Sequence, residues 1–167
     1  MKNDIKFVQD VDATISVMKD AGEWLLSSGK HPSKWWKPDN MDRDFLLQHA
    51  DTDQFYTGIV DKKSVVGAIL QFDQRNQDWG VVDGEKSPDA LYIHWLCVRR
   101  GYEKKGYPKQ MIDFAAKIAR EKDIKYLRAD TNADETKLRN VYEDLGFKLI
   151  KIIQEDYRKT AYYQKMI

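Results

Sequence analysis

Apolar residues in this chain come in blocks whose spacing switches between two and three-to-four, and each switch marks a change from strand to helix or back. Lys6-Phe7-Val8 reads as a short first strand. Asp10 or Asp12 can cap the helix that follows, in which Val11, Ile15, Met18, Ala21 and Leu25 share one face and Ser27-Ser28-Gly29 ends the run. The stretch from His31 to Pro38 is bracketed by prolines and is expected to be irregular, with the adjacent Trp35 and Trp36 facing different ways. A second helix is expected over Asp42 to Gln48. Phe55 to Val60 and Val65 to Leu70 read as an antiparallel hairpin turned by Asp61-Lys62-Lys63-Ser64. A long polar loop from Asn76 to Ser87 holds Trp79 in its middle.

The central stretch is different. Leu91 to Val98 is an almost unbroken apolar and aromatic run, the pattern of a strand covered on both faces. After a basic, glycine-bearing loop, Met111, Phe114, Ala115, Ile118 and Ala119 recur at helical spacing, and Tyr126 to Thr131 then reads as another strand. A strand, a helix and a strand at these lengths make a crossover unit, so the two strands lie parallel in one sheet. The loop then sits at the amino terminus of the crossover helix, where unpaired amides and aligned peptide dipoles favour anions. Lys104, Lys105 and Lys109 add full charges there. A further helix carries Leu138, Val141 and Leu145 as its apolar stripe, with Tyr142 at the stripe's edge. Two more strands, Phe147 to Ile153 and Ala161 to Met166, flank the turn Glu155 to Lys159. The expected fold is α/β (α+β): a mixed, mostly antiparallel sheet of six to seven strands with one central parallel pair, flanked by about four helices.

Two motifs in this order resemble the GNAT superfamily of acyl-CoA N-acyltransferases. The family's pyrophosphate loop, Arg/Gln-x-x-Gly-x-Gly/Ala, aligns with Glu103-Lys104-Lys105-Gly106-Tyr107-Pro108, and its tyrosine three residues before Gly-Phe stands as Tyr142-Glu143-Asp144-Leu145-Gly146-Phe147. The resemblance implies acetyl-CoA as acyl donor and direct attack by an amine in a ternary complex. It also implies that the parallel strands splay at their carboxyl ends to admit the pantetheine arm beside Leu96, Cys97 and Val98. Lys109 and Asn132 are counted with the cofactor contacts. Tyr142 matches the residue credited with protonating the leaving thiolate. Three departures stand out: Glu103 replaces a cation or amide, Pro108 lacks an amide hydrogen, and Glu135 stands where many relatives carry Asn.

Other residues with possible chemistry keep two readings each. His94 titrates near neutral pH and is a candidate base, or else a hydrogen-bonded core residue; ordered water or Glu135 are the other bases. Cys97 lies inside an apolar strand with nothing in sequence to activate it, and is read as structural rather than nucleophilic. Trp35, Trp36 and Trp79 either wall an acceptor site or pin their loops to the domain.

Composition narrows the class further. With 167 residues, 42% hydrophobic and 12% aromatic, the chain is long and apolar enough for one domain spanning 1–167. Lys plus Arg at 28 against Asp plus Glu at 27 leaves a net charge of +1, which argues against a nucleic-acid or membrane-surface binder. One cysteine and three scattered histidines give no disulfide and no metal-ligand spacing. The amino terminus lacks a signal-peptide core, so the expected location is the cytoplasm. The last strand, with Tyr162 and Tyr163, is a candidate for pairing across a homodimer. The function expected is acetyl transfer to a small-molecule or peptide amine. The rival expectation is a binding or regulatory module whose altered loop, through Glu103 and Pro108, has lost tight cofactor affinity.

Overall fold

The computed structural model describes residues 4–30 and 33–167. His31 and Pro32 of the proline-bracketed stretch, like Met1, Lys2 and Asn3, lie outside the described residues. The elements are β1 (Lys6–Gln9), α1 (Val11–Ser27), α2 (Arg43–Leu46), β2 (Phe55–Val60), β3 (Lys63–Gln71), α3 (Gly80–Asp83), β4 (Leu91–Val98), α4 (Tyr107–Arg120), β5 (Tyr126–Asn132), α5 (Thr136–Asp144), β6 (Lys148–Gln154) and β7 (Lys159–Met166). Seven strands form one sheet in the order β1-β2-β3-β4-β5-β7-β6. β4 and β5 are a parallel pair, while β1 with β2, β2 with β3, β5 with β7 and β6 with β7 are antiparallel.

Local chemistry sets the element ends. Asp10 caps α1 by accepting a hydrogen bond from the Ala13 amide at 2.9 Å, and Asp42 caps α2 through the Phe45 amide at 2.8 Å. The β2–β3 turn is tighter than the four residues expected. Lys63 and Ser64 already pair in the ladder, leaving Asp61 and Lys62 at φ 47° and 65°, the two left-handed residues that a twisted hairpin favours.

The chain divides into two compact units. The first comprises the described part of Met1–Leu70 together with Trp95–Met111, and the second comprises Gln71–His94 with Ile112–Ile167. Within the first, Ile15, Val17 and Met18 of α1 pack with Met41, Leu46, Ala50, Phe55, Ile69 and Cys97. Within the second, Trp79, Ala90, Tyr92 and Tyr162 form a core with Val82, Tyr126 and Ile153 against it.

Two expectations require correction. β7 is not an edge available for a dimer: it pairs with β5 on one side and β6 on the other, and Tyr162 and Tyr163 are fully buried. Its four consecutive buried residues are the signature of an interior strand, whereas β6, the true edge, leaves Leu149, Ile150 and Ile152 exposed. The stripe on α5 is also phased differently. Leu138 and Val141 are 41% and 40% exposed, and Tyr142, at 6%, is the buried residue of the helix. Aromatic contacts with Phe147 and Tyr163, centroids at 5.6 and 5.8 Å, set that phase, because a large ring gains more from burial than a Leu or Val at the flank.

Candidate active site

The loop from Arg99 to Gly106 joins β4 to α4 in the first unit. Its two arginines hold it in place: Arg99 donates to the Ser64 carbonyl at 2.7 Å and to Ser16 Oγ, while Arg100 lays its guanidinium 4.3 Å over the Trp24 ring. The Arg100 amide donates to Asp20 at 2.7 Å. Three residues of the loop then adopt left-handed backbone. Gly101, Lys104 and Gly106 have φ of 91°, 60° and 80°, and no heavy atom lies within 4 Å of where a Cβ would stand on either glycine. Bare backbone of this kind lets a diphosphate approach its amides closely.

Gly106 accepts the first helical hydrogen bond, from Gln110 at 3.2 Å, so Tyr107 and Pro108 are the first two residues of α4. Proline suits that turn but contributes no donor, so the cradle there depends on the remaining amides and on the lysines. Lys104, Lys105 and Lys109 are exposed, with the Lys105 ammonium 5.2 Å over the Tyr102 ring. Glu103, the sequence departure of most concern, is turned back on its own loop. Its carboxylate accepts from the Gly101 amide at 3.0 Å and pairs with Arg100 at 2.7 Å. Hydrogen bonds from its own amide and from Gly101 hold its pKa below the usual carboxylate range. The negative charge therefore stays, but next to a cation, and occupies one amide of the loop. The residues present fit a pyrophosphate.

The half of β4 belonging to the first unit contains a backbone outlier. Trp95 has φ 52°, a left-handed conformation that a bulky residue in a strand adopts only when its surroundings force it. Its indole donates to the Trp35 carbonyl at 2.7 Å, and its ring lies 6.0 Å from Trp35 and 6.1 Å from His49. Trp35 also meets His49 at 5.0 Å and Phe45 at 6.1 Å, which makes a half-buried aromatic group of four side chains. Trp36 turns the other way, into the first unit's core, and its carbonyl comes so close to α1 that a Cβ on Gly22 would meet it at 2.5 Å. Leu96 and Val98 are half-buried beyond Trp95. Cys97 is buried, donates to the Gly67 carbonyl at 3.7 Å, and burial pushes its thiol pKa far up, so it is packing rather than a nucleophile.

The second unit holds the rest. β4 and β5 pair only at Leu91 with Leu127 and Tyr92 with Arg128, although both strands run on. Two residues past that last pair, His94 Nδ1 lies 3.9 Å from Asp130 Oδ1, with side chains only 10% and 9% exposed. The other oxygen of Asp130 is bound by Arg158. Burial lowers the His94 pKa; Asp130 and Asp73 raise it and Arg158 lowers it, with a net fall. Asn132 closes the turn after β5, its side chain accepting from the Asp134 amide at 3.0 Å. Trp79 is fully buried, stacked under the Arg128 guanidinium at 4.3 Å and edge-on to Tyr162 at 4.9 Å. That is the anchoring alternative: the ring pins its loop and has no face left for an acceptor.

Sequence reading missed Asp130, Arg158, Phe45, His49 and the bend at Trp95. Only the first had a signal, since Asp130 is an acidic residue within a strand whose neighbour Ala129 is apolar and buried.

A single parallel pair that parts after two residues, followed by a basic, glycine-bearing loop at a helix amino terminus, defines an α/β protein built to take a phosphate-bearing ligand. The model described as the Acetyltransferase (GNAT) family matches residues 20–147, more than three quarters of the chain, and the chain belongs to that family. No curated protein matches it. Among solved structures it is similar to an acetyltransferase of the GNAT family from Listeria monocytogenes 4b F2365, with 21% identity, 98% of this chain and 94% of that one covered, and a TM-score of 0.70. It is also similar to the PaiA N-acetyltransferase from Thermoplasma acidophilum in complex with coenzyme A, with 16% identity, 98% and 99% covered, and a TM-score of 0.69. A third likeness is to a chain of the NatC complex bound to Gag peptide and CoA, with 15% identity, 98% and 99% covered, and a TM-score of 0.63.

Proposed function

We propose that this protein is an N-acetyltransferase that moves the acetyl group of acetyl-CoA to a primary amine by direct attack in a ternary complex. The observation that carries the reading is the bare glycine backbone at Gly101 and Gly106, opening α4 in a chain of the GNAT family. Two structurally similar proteins solved with coenzyme A support the choice of donor. The loop amides with Lys104, Lys105 and Lys109 hold the pyrophosphate, and Leu96, Cys97 and Val98 offer backbone to the pantetheine arm. The thioester supplies an activated acyl group. Tyr142, buried on α5, gives its phenol proton to the departing thiolate. Trp35 forms a wall for the acceptor, a small-molecule amine or a peptide amine, in a reducing compartment such as the cytoplasm.

Titration calorimetry with acetyl-CoA at low and high salt tests the first half, with Lys104→Ala plus Lys105→Ala as the comparison. Two exposed charges facing a diphosphate predict about tenfold weaker binding in the variant and a smaller salt dependence. The second half is tested by turnover over a panel of amines. Tyr142→Phe is expected to lower kcat about a hundredfold while leaving acetyl-CoA affinity unchanged.

A second reading, a GNAT-fold binding module, is favoured by Glu103 occupying the Gly101 amide and by Pro108 removing a donor. No acetyl-CoA binding up to millimolar concentration, and no turnover of any amine, would select it.

A further inference from the structure

We propose that two copies of this protein pair through β6, antiparallel and edge to edge about a two-fold axis at Ile152, so that the sheet of one protomer runs on into that of its partner. The interface uses none of the residues assigned to acetyl transfer, and it stands or falls independently of that reading.

A sheet edge offers its outward amides and carbonyls to any matching strand, and soluble proteins blunt it with a short strand, a proline or an outward charge. This sheet ends in β1 on one side and β6 on the other. β1 has four residues, whereas β6 has seven, without proline or glycine, and all but Ile153 are exposed. The cation at its centre, Lys151, is tied back to the protomer, its Nζ donating to the Val81 carbonyl at 3.3 Å. The bulge between Leu149 and Lys151 adds Ile150 to the edge, and from Lys151 to Gln154 the ladder with β7 is regular. Leu149 and Ile152 lie opposite Tyr163 and Ala161 of β7, so both are on the sheet face that carries α5, whose Tyr142 stacks on Tyr163. Leu138 and Val141 of that helix are exposed as well, so four large apolar side chains stand in solvent on one side of the sheet's end.

Charge selects a second copy as the occupant. β6 starts on Lys148 and runs into Glu155 and Asp156, with a cation at one end and two anions at the other. In a two-fold antiparallel pairing each strand meets its own sequence reversed. With Ile152 facing its own copy, Lys151 opposes the partner's Ile153. Against β7, Lys148 stands at Gln164 and Lys151 at Tyr162, so the bulge places Lys148 two ladder positions from Lys151 rather than three. Lys148 therefore opposes the partner's Glu155, two positions beyond Ile153, and the same count puts both on one face of the sheet. Symmetry makes this pair twice, with the exposed Asp156 beside each. The Glu155 carboxylate is already held in place, accepting from Gln77 at 3.1 Å and from the Tyr162 hydroxyl. A parallel arrangement would set Lys148 against Lys148 and Glu155 against Glu155.

Sedimentation velocity over roughly 1–100 µM protein tests the pairing, and a reversible equilibrium between monomer and dimer is expected. Ile152→Lys sets two like charges on the axis, and Lys148→Glu opposes carboxylates at both ends. Each is expected to weaken association about tenfold or more, the second less so at high salt. Both positions are exposed, so each variant keeps the monomer's fold, which circular dichroism checks. Trapping reads the register. Directly opposed residues have Cα atoms about 5 Å apart, within disulfide reach, so Ile152→Cys in a Cys97→Ala background should oxidise to a covalent dimer. Lys62→Cys, on the exposed β2–β3 turn, should not. Wild-type protein that stays monomeric throughout overturns the proposal. So does a dimer that neither β6 substitution weakens, or Ile152→Cys cross-linking no faster than Lys62→Cys.

Discussion

Replacing Arg128 by Met should be the most damaging single change in the second unit, and its cost should depend on pH. Arg128 on β5 makes a two-pronged ion pair with Asp83 at the end of α3, at 2.5 and 2.9 Å, with the two side chains 4% and 10% exposed. Its Nε donates to Gln164 at 2.8 Å, its guanidinium covers Trp79 at 4.3 Å, and Ser87 donates to the same carboxylate at 2.7 Å. Methionine fills much of the volume but leaves Asp83 buried without its cation, a loss of about 3–5 kcal/mol. For a chain of 167 residues that is a fall in Tm of roughly 6–20 °C. Burial pushes the Asp83 pKa up, but hydrogen bonds from Arg128 and Ser87 and the guanidinium charge outweigh it, and the folded value lies below the unfolded one. A carboxylate so depressed contributes stability above its unfolded pKa and loses it as pH falls through the folded value. In the variant only Ser87 remains to oppose burial, so protonating Asp83 relieves the strain. Urea unfolding followed by circular dichroism should therefore show the largest difference from wild type at pH 7 and a smaller one at pH 4. Adding Asp83→Leu to Arg128→Met should recover part of the loss. A difference under about 1 kcal/mol at pH 7, or one that grows toward acid, would refute the reasoning.

Three further outcomes follow from single contacts. Glu103→Ala removes the one carboxylate in the phosphate loop and releases the Gly101 amide, so acetyl-CoA should bind about threefold tighter at low salt in calorimetry, with the gain shrinking at high salt; unchanged affinity would show that the loop does not meet the pyrophosphate. Cys97, buried and with its pKa raised by burial, should resist iodoacetamide at pH 8 in the folded protein and react only in denaturant, and Cys97→Ala should keep full turnover. Lys62→Gly relieves a left-handed backbone at φ 65° on an exposed turn, and should raise stability by about 0.5–1 kcal/mol in the same urea assay.

How much of this was legible in the sequence depended on how local each cause is. The β4–α4–β5 unit, a cap on α1 from one of two aspartates and the β2–β3 hairpin follow from spacing and turn chemistry within a few residues; all three are present, with Asp10 as the cap and the hairpin turn two residues tighter than expected. The place of β7 between β5 and β6 did not follow, because chain order does not fix spatial order; its buried run Thr160 to Tyr163 was the one clue. The phase of α5 was misread because Leu138 and Val141 are apolar by type, and only the rings of Phe147 and Tyr163 decide that Tyr142 goes inside. Trp79 could not be assigned to wall or anchor without its partner Arg128, forty-nine residues away by numbering.

The same distinction governs the candidate site. A motif records which backbone must be bare and which ring must be present, as at Gly106 and Tyr142, but not how a departure from it is absorbed. Glu103 shows this. Read alone, a carboxylate where a cation is usual argues against an anion site, yet Arg100 lies within 2.7 Å of it and the Gly101 amide ties it down. Arg100 is itself held by Trp24 and its own amide by Asp20, so the compensation begins on α1, some eighty residues earlier. Trp95 makes the parallel point for geometry. Its positive φ costs about 1–3 kcal/mol and persists because the Trp35 carbonyl and the rings of Trp35 and His49 hold the indole. That bend breaks the alternation of β4 directly after His94, so the residues before it and after it need not share the faces that a regular strand would give them.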